Sequence, residues 1–147
     1  MDLHIKISKI NEDAHIPEYK TQGSSGMDLY SVDDVNIEAY KAALISTGLI
    51  IEIPDGYEGQ VRPRSGMALK SQLTVLNSPG TIDSDYRGEI KIILFNANDK
   101  AIKINKGDRI AQLVIMPVIH AKFEVVDSCE LTESKRGAGG FGSTGNK

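Results

Sequence analysis

Apolar and polar residues alternate with a period of two along most of the chain. Leu3, Ile5 and Ile7 alternate with polar neighbours, and so do Val35, Ile37 and Ala39. Between 43 and 53 lies a β-branched run, Leu44-Ile45 and then Leu49-Ile50-Ile51-Glu52-Ile53. It ends at Pro54-Asp55-Gly56, a turn signal. The same period predicts strands over 57–62, 72–76, 89–95, 100–104, 109–116 and 120–126. Asn105-Lys106-Gly107 reads as a tight turn between two of them. Only 65–71, Ser-Gly-Met-Ala-Leu-Lys-Ser, suits a helix, and a short one. Many short strands at a spacing of roughly ten residues predict an all-β sandwich or barrel.

The last stretch differs in kind. From Glu133 to Lys147 there are five glycines, and Phe141 is the single large apolar group. Such a segment buries too little surface to hold itself in place. Two readings stand open: a frayed tail, or an arm that orders over a ligand. The lone Phe141 favours the arm. The chain thus divides into a β domain over 1–132 and a Gly-rich C-terminal arm over 133–147.

Composition narrows the function classes. At 147 residues the chain fits one domain, and 40% apolar with 25% charged residues is ordinary for a soluble globular protein. No apolar run approaches the length of a membrane span, and Met-Asp-Leu-His-Ile-Lys has no secretory character, so the expected address is the cytoplasm. Cys129 is the only cysteine, which excludes an intramolecular disulfide and any multi-cysteine metal site. His4, His15 and His120 are far apart and have no metal spacing. With a net charge of −3 and no basic stripe, binding to a nucleic-acid polymer is not expected.

Five segments carry candidate chemistry. Ser24-Ser25-Gly26-Met27-Asp28-Leu29-Tyr30-Ser31 is a strand entry with a carboxylate. In Pro63-Arg64-Ser65-Gly66-Met67-Ala68-Leu69, Ser65 suits a helix N-cap and Gly66 admits a ligand to the backbone. Free amides there and the Arg64 fork suit a phosphate, while a capped surface helix with a solvated arginine stands as the plainer reading. Asn77 to Glu89 reads as a hairpin with exposed backbone edges, carrying Asp83, Asp85 and Glu89. One of these carboxylates could act as a general base or metal partner, or all could be solvated. In Gly107-Asp108-Arg109-Ile110-Ala111-Gln112-Leu113, Gln112 interrupts an apolar strand, facing either solvent or a ligand. The fifth segment, Arg136 to Gly145, contains Gly137-x-Gly139-x-x-Gly142. No βα unit can follow it, so it is not a dinucleotide fingerprint. Its amides, Arg136, Ser143 and Thr144 could still hold a phosphate chain.

In this order and spacing, the five segments resemble the motifs of the trimeric dUTPase family, from about His15-Ile16-Pro17 to Gly145. The most specific are Gly80-Thr81-Ile82-Asp83-Ser84-Asp85-Tyr86-Arg87-Gly88 and Arg136-Gly137-x-Gly139-Gly140-Phe141-Gly142-Ser143-Thr144-Gly145. The resemblance implies a β jelly roll, a homotrimer, and three active sites each built from three chains. It implies hydrolysis of dUTP to dUMP and pyrophosphate, with Mg2+ on the triphosphate. That reaction lowers dUTP and supplies dUMP for thymidylate synthesis. By the same resemblance Asp83 activates the water that attacks the α-phosphorus. Tyr86 stacks on the deoxyribose and excludes a 2′-hydroxyl. The backbone of the 77–83 turn, with Asn77, Gly80, Thr81 and Ile82, reads uracil. Arg64, Ser65, Gly66 and Gln112 bind phosphates, and Asp28 meets magnesium through water. Phe141 closes over the base, while Arg136, Gly142, Ser143 and Thr144 hold the distal phosphates. Ser25 and Met27 depart from the family's usual alanine and aromatic, at positions with no expected contact.

Two alternatives are distinguishable. A dCTP deaminase-like relative would carry a catalytic glutamate where this chain has Ile93, which cannot move protons. A catalytically inactive, nucleotide-binding regulatory relative would have lost the base or a phosphate ligand, and here all are present.

Overall fold

The computed structural model describes residues 3–143. Among them the alternating stretches form eleven strands. These are β1 (Lys6–Lys9), β2 (Met27–Tyr30), β3 (Val35–Ile37), β4 (Ala42–Ser46), β5 (Leu49–Glu52), β6 (Tyr57–Arg62), β7 (Leu73–Val75), β8 (Gly80–Ile82), β9 (Lys91–Asn96), β10 (Ile102–Ile104) and β11 (Arg109–Pro117). One helix, α1 (Ser65–Ser71), covers the predicted span. The strands make a four-stranded sheet in the order β2-β11-β6-β8, a three-stranded sheet β4-β9-β7, and the ribbons β1-β5 and β10-β3. All pairs are antiparallel. The expected all-β, jelly-roll-like sandwich is therefore observed, but as open sheets and not as a closed barrel.

Period two explains how the sheets meet. Leu113 of β11 lies opposite Val61 of β6, and both are buried. Their neighbours Gln112 and Arg62 lie opposite each other on the other face. Leu29, Val61 and Leu113 from one sheet join Ile45, Ile92 and Leu94 from the other in a single apolar cluster. Each such side chain contributes about 1.5–3 kcal/mol on full burial. Buried apolar residues run from Ala14 to Val114, so the core is complete before the tail begins. On the surface Lys106 hydrogen-bonds Asp13 at 2.6 Å, and this contact keeps the Asp13 carboxyl below its usual range.

Two expectations gain detail and two are corrected. The 43–53 run is two strands, broken at Thr47-Gly48, where Gly48 has φ +69°. A Cβ there would stand 2.7 Å from the Asn11 Cβ, so the bend needs glycine. The Asn105–Gly107 turn forms between β10 and β11 as expected, with the Asp108 N–H donating to the Asn105 carbonyl, and its two strands enter different sheets. Residues 77–89 are not a hairpin, because β7 pairs with β9 while β8 pairs with β6. The chain crosses between sheets there. Finally, 120–126 is not a strand. Ile119, Phe123 and Val125 are each more than nine-tenths exposed. Alternation makes a strand only where another strand accepts it, and among the described residues none lies at that place.

Candidate active site

The first candidate cluster sits on the outer face of the four-stranded sheet. Asp28 on β2 lies opposite Gln112 on β11, which lies opposite Arg62 on β6. Arg64 follows β6 and turns back, so that its Nε donates to Asp28 Oδ1 at 2.9 Å. Gln112 Nε2 donates to the Pro63 carbonyl at 2.9 Å. Gln112, half-buried, thus fixes the loop that carries Arg64 through one of its two amide hydrogens. Gly26 makes this possible, because a Cβ there would collide with the Gln112 side-chain oxygen. Gly26→Ala is expected to displace Gln112, release the Pro63 loop and cost about 1–3 kcal/mol. Chemical denaturation, read beside nucleotide affinity, measures both effects.

The sequence did not single out Arg109, yet the structure puts it here. Its NH1 group donates to Asp28 Oδ2 at 3.2 Å. Arg109 and Gln112 are three residues apart, and in a regular strand they would face opposite ways. The ladder to β2 shifts register between Arg109 and Ala111, so Arg109 opposes Tyr30 while Gln112 opposes Asp28. This bulge turns Arg109 onto the face of Asp28. One mostly buried carboxylate therefore holds two guanidiniums, its side chain 14% exposed against 25% for Arg64 and 48% for Arg109. The three groups sum to a net positive charge, in surroundings less screened than open water.

Helix α1 starts one residue away from the sequence expectation. Ser65 is its first helical residue and not the cap. Arg64 takes the cap position with extended backbone, φ −92° and ψ 132°, and no side chain caps the helix. That backbone is the one from which Arg64 reaches Asp28. Ser65 and Gly66 are exposed, and Gly66 has open space where a Cβ would stand.

The second cluster is a cleft of 520 Å³. Asn77, Gly80, Thr81, Ile82 and Tyr86 line it together with Val61 and Val75. It lies where β7 and β8 part into different sheets. Among the described residues each of these strands has a partner on one side only, so backbone N–H and C=O groups are left at both outer edges. Asn77 folds over Gly80, its Nδ2 3.2 Å from where a Cβ would be. Ile93 contributes an aliphatic wall. Asp83 directly follows β8 on an exposed turn, and its carbonyl accepts the Tyr86 N–H at 3.1 Å. The Tyr86 ring is 45% exposed, its hydroxyl bonded to the Glu89 carbonyl.

The C-terminal residues are not brought to either cluster. Arg136 Nε donates to the Gly139 carbonyl within the tail. Phe141 is fully exposed, with φ +52°. Gly142 and Ser143 are exposed as well, and Thr144 lies outside the described residues.

An apolar-walled cleft with free backbone edges suits a flat ring with polar edges. A cluster of two arginines on one carboxylate suits an anion. Together they define an all-β protein that takes a nucleotide-like ligand. The profile of the dUTPase family matches residues 12–145, and the chain belongs to that family. It is 58% identical over 146 residues to the deoxyuridine 5'-triphosphate nucleotidohydrolase of Hydrogenobaculum sp., covering 99% of this chain and 100% of that protein. It is 54% identical over 143 residues to the enzyme of the same name from Nautilia profundicola, covering 97% and 99%. A mutant dUTPase of Staphylococcus bacteriophage 80alpha, solved with dUpNHpp, superposes with a TM-score of 0.88 at 29% identity, covering 97% and 98%. A mutant dUTPase of phage phi11, described with a structural Mg(II) ion, gives 0.80 at 27% identity, covering 89% and 99%.

Proposed function

We propose that the chain hydrolyses dUTP to dUMP and pyrophosphate, at sites shared between the subunits of a homotrimer. The observation that carries this reading is the cleft between the open edges of β7 and β8, with Asp83 next after its β8 wall. A backbone edge presents N–H and C=O groups in alternation. Uracil offers the complement through O4, N3–H and O2, whereas cytosine presents an amino group and a bare N3. The cleft therefore reads the base through Asn77, Gly80, Thr81 and Ile82. Arg64, Ser65 and Gly66 take the phosphates on the arginine face, with Gln112 holding their loop. Arg136, Phe141, Gly142, Ser143 and Thr144 close over base and distal phosphates from the arm formed by residues 133–147.

In the reaction, the Asp83 carboxylate accepts a proton from a water molecule as that water's oxygen bonds to the α-phosphorus. The bond from the α-phosphorus to the bridging oxygen breaks, and pyrophosphate leaves. General-base help contributes about 10²–10⁴-fold, so charge stabilisation by the arginines and amides must do more.

We place magnesium on the substrate triphosphate. No cluster of three metal-ligating side chains occurs among the described residues, so the protein provides no cage of its own. Both Asp28 oxygens accept from arginines, which leaves lone pairs for a hydrogen bond from one metal-bound water. That agrees with the reluctance of Mg2+ to shed its waters and its usual place on phosphates. With dUTP bound, it would neutralise triphosphate charge beside Asp28.

The tail supports the shared assembly. Beyond Val118, whose N–H donates to the Gly56 carbonyl, every hydrogen bond among the described residues stays within the tail. Among the described residues Ile119, Phe123 and Val125 are almost fully exposed. A groove of 540 Å³ lined by Ile5, Ile7, Met27, Tyr57, Leu113 and Ile115 offers apolar cover on another copy. Among the described residues no helix is long and apolar enough to cross a membrane. The address that goes with this reaction is the cytoplasm, where nucleotide pools feed DNA synthesis.

Pyrophosphate release from dUTP, run beside dCTP and UTP, tests the reading. Rapid release from dUTP alone is expected. Ammonia from dCTP would point to a deaminase, and binding without turnover to a regulatory relative. Tyr86→Ala is expected to bring the kcat/KM for UTP closer to that for dUTP, since the ring no longer fills the space of a 2′-hydroxyl. An unchanged ratio would place sugar selection elsewhere.

A further inference from the structure

Glu89 is the third carboxylate of the 83–89 stretch, and the chemistry above leaves it without a part. Its side chain is only 18% exposed, on the rim of the cleft. One residue makes two different ties. Its backbone carbonyl accepts the Tyr86 hydroxyl at 3.0 Å. Its carboxylate Oε1 accepts the buried Gly48 N–H at 2.9 Å, and Oε2 lies 3.5 Å from Lys91 Nζ.

Gly48 is a fixed point of the fold. Its positive φ and the crowding by Asn11 and Ala14 give that bend one shape. Next to it, Thr47 Oγ1 donates to the Ile90 carbonyl at 2.6 Å, and the Ile90 N–H donates to the Leu49 carbonyl at 2.8 Å. The backbone at 90 is thus stitched to the β4–β5 bend, and the Glu89 carboxylate carries that stitching one residue closer to Tyr86.

Tyr86 needs such support. Its ring is nearly half exposed, so packing does not hold it. It lies across Gly88, where a Cβ would collide with the ring. Arg87 NH1 braces the turn through the Ser84 and Tyr86 carbonyls, at 2.6 and 2.9 Å. A ring rejects a 2′-hydroxyl only if it cannot swing aside. We propose that Glu89 is a positioning residue for sugar selection: its carboxylate fixes the Glu89 carbonyl, and that carbonyl fixes the Tyr86 ring. The inference rests on the reading of Tyr86 given above.

The test is the ratio of kcat/KM for dUTP to that for UTP, measured with the full-length protein. Glu89→Gln keeps an oxygen for the Gly48 N–H and is expected to hold the ratio within about twofold. Glu89→Ala leaves that N–H unpaired and is expected to lower the ratio about fivefold or more, the scale of one lost hydrogen bond, chiefly by raising UTP turnover. The double variant Glu89→Ala/Tyr86→Ala should match Tyr86→Ala alone, because the two act through one contact. A merely structural role would lower the melting temperature and leave the ratio unmoved. An unchanged ratio in Glu89→Ala, or a double variant that falls below Tyr86→Ala, overturns the proposal. Should Glu89→Ala not fold, Tyr86→Phe removes only the hydroxyl tie, and an unchanged ratio there overturns it equally. A Tyr86→Ala protein that discriminates as the wild type does overturns the Tyr86 reading itself, and this inference with it.

Discussion

Asp83→Asn is expected to slow dUTP turnover by about 10²-fold or more while leaving nucleotide binding nearly intact. The amide keeps the shape of the carboxylate but cannot take a proton from water. The structure makes the substitution clean. Asp83 is exposed, and its contribution to local structure is its backbone carbonyl, which accepts the Tyr86 N–H and which the variant retains. The turn should therefore stand, and with it the cleft. Binding of dUpNHpp by calorimetry and turnover by pyrophosphate release give the two readings. Turnover above a tenth of wild type would remove Asp83 from the role of base. A parallel loss of affinity would mean that the turn itself had moved.

Most of the strands could be read from local pattern because each shows one face to the common core. β6 matches its predicted span and β11 runs one residue beyond it, since Val61 and Leu113 must point inward while Gln60 and Gln112 point out. The failures share a cause. Residues 120–126 have the right alternation, but a strand needs a partner, and among the described residues none lies beside them. The Asn77–Gly80 turn was legible from its residue types. That its two arms join different sheets was not, because pairing with β6 and β9 is a long-range property. The same limit hid Arg109. Its odd spacing from Gln112 predicts opposite faces, and only the bulge after it reverses that. The family resemblance implies a metal-linked role for Asp28, and the structure adds that it holds two arginines.

Removing residues 133–147 is expected to leave a folded trimer with very low activity. Among the described residues no buried apolar side chain lies beyond Val114, so the loss should cost the fold almost nothing. The segment does contain Arg136, Phe141, Ser143 and Thr144, the groups proposed to close the site. Among the described residues Phe141 is fully exposed and Arg136 donates to the Gly139 carbonyl within its own turn. Closing over the ligand would exclude water and strengthen every charge contact at the phosphates. If the arm serves a neighbour's site, a mixing experiment follows. Truncated chain and full-length Asp83→Asn chain are denatured together and refolded into mixed trimers. Some sites then combine an intact Asp83 from one chain with an intact arm from another, and activity should rise above that of either parent. Were both elements of a site drawn from one chain, no mixture of these two chains could restore it. Mixed trimers confirmed by native mass spectrometry, yet no more active than their parents, would refute the shared site.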